Sequence, residues 1–298
     1  MSSISIETKK VTDLTAITTP EESDLLLIHD GTGLKNITFQ NFVNQVNSSV
    51  EEKIAPLLFN NAGAHNCIYR GKNLGTSVTF EQWEAIAAGT FDNMYIGDYW
   101  VINDVTYRIA AFDYYYKTGG SVSCETHHVT LVPDRVMYNY CMNSSNVTTG
   151  GYYGSKMYSE GLVQAKTTIN SAFGESHILN HKQFLSNAVT DGIPSASSWY
   201  DSTVELMTEQ NVYGSKVFTP TSDGLNVPSI PTIDKSQYPL FAFNPYMQSN
   251  KQTFWLRDVV SNIHFAYVSI SGHAYYRHAS YTFGVRPAFS VVGSINES

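Results

Sequence analysis

Apolar positions along this chain change their spacing several times, and each change marks a different kind of element. Residues 25–29 and 34–38 are short apolar runs flanking Asp30-Gly31-Thr32-Gly33, which predicts two strands joined by a hairpin turn. Thr38 follows as a helix N-cap. Apolar residues then recur at Phe39, Val43, Val46, Val50, Ile54 and Leu57, with spacings of 4, 3, 4, 4 and 3. This is a heptad-like seam with one extra residue as a stutter. Pro56 closes the helix and "NNAGAHN" (60–66) makes a linker. A helix of about two heptads is too short to stand alone in water. It either docks on its own domain or associates around a symmetry axis, and the pattern fits an ordinary amphipathic helix equally well.

From Cys67 the pattern becomes mixed. "TFEQWEAIAAG" predicts a helix that starts on a capping box of Thr79 and Gln82 and ends on Gly89. "MYIGDYWVINDVTYRIAAFDYYY" reads as two strands joined at Asn103-Asp104, and "HHVTLVPD" as a third. Residues 155–188 are expected to be mostly helical, with Gly174 separating "SKMYSEGLVQAKTTINSAF" from "NHKQFLSNAV". Short strand and loop pieces follow, ending in two alternating segments, "IHFAYVSI" and "HAYYRHASYTFGVRPAFSVV". Helices come early and strands late, so the expected class is α+β. The expected organisation is a β-hairpin module at 1–38, a helical stem at 39–60 and one α+β domain at 61–298.

Composition narrows the function classes. Charged residues make up only 15% of the 298, well below the usual quarter or so, and Tyr, Ser, Asn and Thr replace them. A Tyr-rich, Lys- and Glu-poor exterior resembles an interface more than an enzyme surface. The net charge is −8, with no basic stripe, so no nucleic-acid partner is expected. No apolar run has membrane-spanning length and "MSSISIETKK" lacks a signal-peptide core, so neither membrane insertion nor signal-peptide secretion is expected. Cys67, Cys124 and Cys141 read as free thiols in a protein made in a reducing cytosol.

Candidate chemistry is sparse. In "CETHH" (124–128), His127 and His128 fall on opposite faces of any strand, and a Cys124–His127 pair lacks two further zinc ligands. No metal or cofactor is therefore expected. Asp98, Asp104, Asp113, Glu160, Glu205 and Glu209 are scattered, and no motif pairs two of them for glycan hydrolysis. Arg257-Asp258 and Arg286-Pro287 read as structural elements. The segment Val259–Val285 is the unusual one: Arg277 is its only Asp, Glu, Lys or Arg, alongside three His and six Phe or Tyr. Rigid aromatic rings with adaptable Ser and Gly suit recognition, and Tyr and His rings stack on sugar faces. The outward set is expected to be Asn262, His264, His273, Tyr275, Tyr276, Arg277, His278 and Tyr281. Phe265, Tyr267, Val268 and Ile270 are expected to point inward.

"CIYRGKNLG", "FDNMYIGDYWVINDVTYRIAAFDYYY", "THHVTLVPD", "ELMTEQNVYGSKVF", "YPLFAFNP", "FWLRDVV" and "YTFGVRPAF" together resemble a family of tailed-bacteriophage virion fibre proteins, the head-fibre and tail-fibre adhesins of gut phages. The start, "VTDLTAITTPEESDLLLIHDGTGLKNITFQNF", resembles the modules that fix such fibres to a head or tail. "WLR…GVRPAF" also resembles the end of C-type-lectin-like domains of the formylglycine-generating-enzyme type. The resemblance implies an antiparallel core with variable surface loops. It also implies a capsid or tail partner for residues 1–38, a parallel homotrimer through the stem, and a bacterial surface receptor for the C-terminal domain. Enzymes of that type use a cysteine pair near the C-terminus, and this chain has no Cys after Cys141, so their oxidase chemistry is not implied. A purely structural decoration protein and a glycan-degrading spike are the alternatives.

Overall fold

A computed structural model describes residues 21, 23–29, 34–54, 60–120, 123–219 and 236–294, in two compact units within Met1–Phe59 and Asn60–Ser298. It is mixed α and β, with 35% strand against 24% helix, so sheets carry the fold.

In the first unit, β1 (Leu25–His29) pairs antiparallel with β2 (Leu34–Thr38), from Leu25 opposite Thr38 to His29 opposite Leu34. The four residues expected to form the turn, 30–33, lie outside the described residues. Helix α1 (Phe39–Ile54) begins as expected, with Thr38 Oγ1 accepting the Asn41 N–H at 3.2 Å. Phe39 and Val43 are half-buried, whereas Val46 is exposed, as is Phe42 beside the expected seam. Val50 and Ile54 continue the helical backbone; Pro56 and Leu57 lie outside the described residues.

The second unit opens with α2 (Ala62–His65), β3 (Asn73–Gly75) and α3 (Phe80–Ala88). Helix α3 has the predicted reciprocal capping box, and Gly89 ends it at φ 71°. Strands β4 (Tyr99–Ile102) and β5 (Val105–Phe112) turn at Asn103-Asp104, both at positive φ, which is the backbone a two-residue hairpin needs. Next come β6 (His128–Pro133), β7 (Tyr138–Cys141) and α4 (Val163–Phe173).

The second predicted helix, "NHKQFLSNAV", is instead a strand. Residues His181–Thr190 form β8, paired with β9 (Ile193–Ser202) across Asp191-Gly192. Those two residues sit at φ 50° and 78°, an Asp-Gly hairpin turn that outweighs local helix propensity once the β9 partner is present. Phe184 and Trp199 face each other across the pair with ring centroids 5.2 Å apart. The helix expected to start at Ser155 begins with a single π-turn, Leu162 N–H bonding Met157 O, before α4 proper.

The remaining elements are β10 (Val204–Leu206), α5 (Glu209–Tyr213), α6 (Pro239–Phe243), β11 (Phe254–Val259), β12 (His264–Val268), β13 (Ala274–His278), β14 (Thr282–Val285) and β15 (Pro287–Val292). One sheet runs β10-β15-β6-β5-β4-β3; the other runs β13-β12-β11-β14-β7. The last described strand, β15, therefore lies inside the six-stranded sheet, which explains why five of its six residues are buried. Phe254, Leu256, Ala266 and Val268 of the five-stranded sheet share the main core with that sheet. Trp255, Val259, Phe265 and Val285 fill a second core with Met142, Tyr152 and Leu185.

"FGVRP" is the joint between the two sheets. A Cβ on Gly284 would stand 2.3 Å from Val136 Cγ2 and 2.7 Å from Thr253 O, so only glycine fits. The buried Arg286 donates from Nε to Pro133 O at 2.8 Å and from Nη1 to Met247 O (2.8 Å) and Gln248 O (3.1 Å). Its guanidinium also lies over the Phe254 ring, and burial lowers its pKa to about 10. The structural reading of Arg286 is the one its contacts support.

Candidate functional site

Strands β12 and β13 are antiparallel, with His264 opposite His278, Phe265 opposite Arg277, Ala266 opposite Tyr276 and Tyr267 opposite Tyr275. Partners directly opposite share a face and neighbours alternate, so the pair sorts its side chains into two sets. His264, Tyr276 and His278 lie on one face; Tyr275 and Arg277 lie on the other. Because β13 is the edge strand of its sheet, both sets meet solvent at one rim.

On the first face the His264 and His278 rings are 4.5 Å apart, and Tyr276 meets His264 edge-on at 5.1 Å. Ser261 Oγ and His264 Nδ1 share a hydrogen bond of 2.7 Å, which fixes that imidazole. Burial lowers the His264 pKa below the ordinary value, and the nearby His278 and Arg277 add to the effect.

On the second face the rings form a graded run. Buried Trp255 contacts half-buried Phe283 at 4.8 Å, and Phe283 contacts Tyr267 at 4.6 Å. Tyr267 leads to Tyr275 at 5.9 Å and Phe283 to Tyr281 at 6.3 Å; Tyr275 is 47% and Tyr281 43% exposed. The Arg277 guanidinium lies 4.4 Å over the Tyr281 ring, so the cation is held over an aromatic face before any ligand arrives.

The eight residues expected to act together are thus not one flat patch. Asn262 is exposed in the turn before β12, its carbonyl accepting the Thr148 N–H. His273 is exposed in the Ser269–His273 turn, at the opposite end of the strand pair and about 17 Å from His278 along five residues. Of the set expected inward, Phe265 and Val268 are buried and Tyr267 half-buried; Ile270, one residue beyond Ser269 in that turn, is instead 63% exposed.

Phe218 completes the cluster, 5.2 Å from Tyr276 and 5.8 Å from Tyr275. It lies more than fifty residues away in sequence, and no local pattern points to it. Glu209 places it. The buried Glu209 carboxylate accepts N–H groups from Val217 (2.8 Å), Phe218 (3.1 Å) and Thr219 (3.0 Å).

Asp98, Asp113, Glu205 and the histidines of "CETHH" have structural partners. Asp98 accepts from Arg70 and from the Lys72 and Tyr95 N–H groups. In "CETHH", Asp113 accepts the His128 N–H at 2.9 Å and meets His127 Nδ1 at 2.7 Å. His128 is buried and His127 part-exposed, and among the described residues no three metal-ligating side chains converge. Glu205 is buried, bonded by the Ser202 hydroxyl, and its pKa is raised by desolvation.

No family model, no curated protein and no solved structure matches this chain.

Proposed function

We propose that the chain is a non-enzymatic virion fibre protein of a tailed bacteriophage, whose larger unit adheres to a bacterial surface glycan or protein. The observation that carries this reading is the β12–β13 rim: exposed Tyr275, Tyr281 and Arg277 with His264, His278 and Tyr276, backed by a continuous run of rings down to Trp255. Large rigid side chains preorganised by one another lose little entropy on binding, which suits an adhesive surface. Two sheets with the last strand inside one of them fit the C-type-lectin-like scaffold that the sequence resembles. Asp98, Asp113, Glu205 and Glu209 are each engaged by structural partners, and Glu205 and Glu209 are too enclosed to meet a polysaccharide. In this reading residues 1–38 bind the capsid or tail, and α1 associates three copies. A weak single site suffices there, because several copies on one particle raise avidity by orders of magnitude.

The test is binding of the purified full chain to a panel of bacterial strains, with reducing sugar assayed in the supernatant. Binding to some strains without sugar release supports the proposal. Sugar release indicates a spike enzyme, and no binding to any strain indicates a decoration role.

A further inference from the structure

The rim is a local exception to the charge of the chain. The protein carries −8 overall, yet Arg277 is the only fixed charge between Val259 and Val285. Three histidines share that stretch, two of them, His264 and His278, with rings in contact at 4.5 Å. Paired imidazoles resist double protonation unless an anion compensates them. Arg277 stands one residue from His278 on the edge strand, already stacked on Tyr281. Those around His264 are Ser261, Tyr276, His278 and Arg277, none of them an acid. An acid of a neighbouring element, Asp191, lies at the tip of the β8–β9 hairpin, where Gly192 packs against Ser261 and Asn262.

We propose that this rim takes an anionic glycan that crosses the edge strand, its sugar rings stacked on Tyr275, Tyr276 and Tyr281 and its successive acidic groups held by Arg277 on one face and by the His264–His278 pair on the other. The inference rests on the adhesin reading and narrows its ligand. The acidic group is a uronate carboxylate or a phosphodiester of a wall polymer; both offer the oxygens that guanidinium and imidazolium donors recognise. Binding takes up a proton, because the anion stabilises the charged imidazoles. Affinity therefore rises as pH falls through the histidine range.

The experiment measures binding of the full chain to polygalacturonate, to a glycerol-phosphate teichoic acid and to dextran, at about pH 8 and about pH 5.5. Uptake of one proton strengthens binding by up to about tenfold for each pH unit above the pKa of the group that takes it up. The expected result is such a rise for one of the two anionic polymers, which also identifies the acidic group, and none for dextran. His264→Asn with His278→Asn flattens the pH profile, and Arg277→Gln weakens binding at both pH values. Cell binding with no preference for either anionic polymer over dextran, or with a pH profile unchanged in the double variant, overturns the inference and leaves the adhesin reading standing. Binding to neither cells nor polymers overturns both.

Discussion

His128 is enclosed with its ring neutral: Nε2 accepts the Tyr115 N–H at 2.9 Å, so Nδ1 carries the proton and donates to Thr126 O at 2.8 Å. Burial lowers its pKa to about 4, and the buried His181, its ring tilted against Tyr115 with centroids 3.7 Å apart, is lowered to about 3. Both folded values lie below the unfolded one, so the unfolded chain binds more protons at mildly acid pH. Stability is then fully present above about pH 6.5 and falls as pH drops toward 4. Glu205, raised by burial, contributes in the opposite sense, so the histidine share is read as a difference. Urea melts from pH 7 to pH 4 are expected to show a shallower decline in His128→Gln than in the parent chain; equal slopes contradict the assignment. At Gly284 the expected outcome of an Ala substitution is a loss of about 3 kcal/mol, at the upper end of overpacking costs, since both Val136 and the Thr253 carbonyl must yield. Thermal melts read this directly. The features legible from sequence at this scale were local ones: the Thr79–Gln82 box and the Asn103-Asp104 turn involve residues within three positions. The partnership of Asp113 with the two histidines spans a loop and left no sequence mark.

Helix α5 is only five residues long, and its role is to aim one carboxylate. Thr208 caps it in a reciprocal box with Asn211, and Glu209 in its first turn gathers the backbone of 217–219. Replacing Glu209 by Gln removes the charge and turns one acceptor into a donor facing N–H groups. The expected loss is about 2–3 kcal/mol, with Phe218 released from Tyr275 and Tyr276. Urea unfolding gives the first number, and weaker cell binding at a temperature where the variant is folded gives the second. At this scale the β8–β9 hairpin shows the limit of periodicity. Phe184, Leu185, Ala188 and Val189 have helix-like spacing, and the decisive signal is Asp191-Gly192, two residues beyond the last of them. Strands β12 and β13 were legible as alternating segments. Their facing depended on register, which the cross-strand pairs set and no single strand contains.

At the scale of the whole molecule, the proposed function divides labour between the two units. Exposed Phe42 and Val46 on α1 leave an apolar stripe uncovered within the first unit, and the seam continues to Val50 and Ile54 in the sequence. Light scattering on the full chain at micromolar concentration is expected to report about three protomers; a clean monomer contradicts the stem. The central claim concerns the rim, and one triple variant addresses it. Tyr275 and Arg277 are exposed and Tyr276 half-buried, so replacing all three by Ala removes the binding surface while leaving both cores intact. Measured side by side with the parent chain, the variant is expected to lose bacterial-cell binding while its melting temperature shifts by only a few degrees. Undiminished cell binding by a folded variant contradicts the claim that β13 is the receptor face.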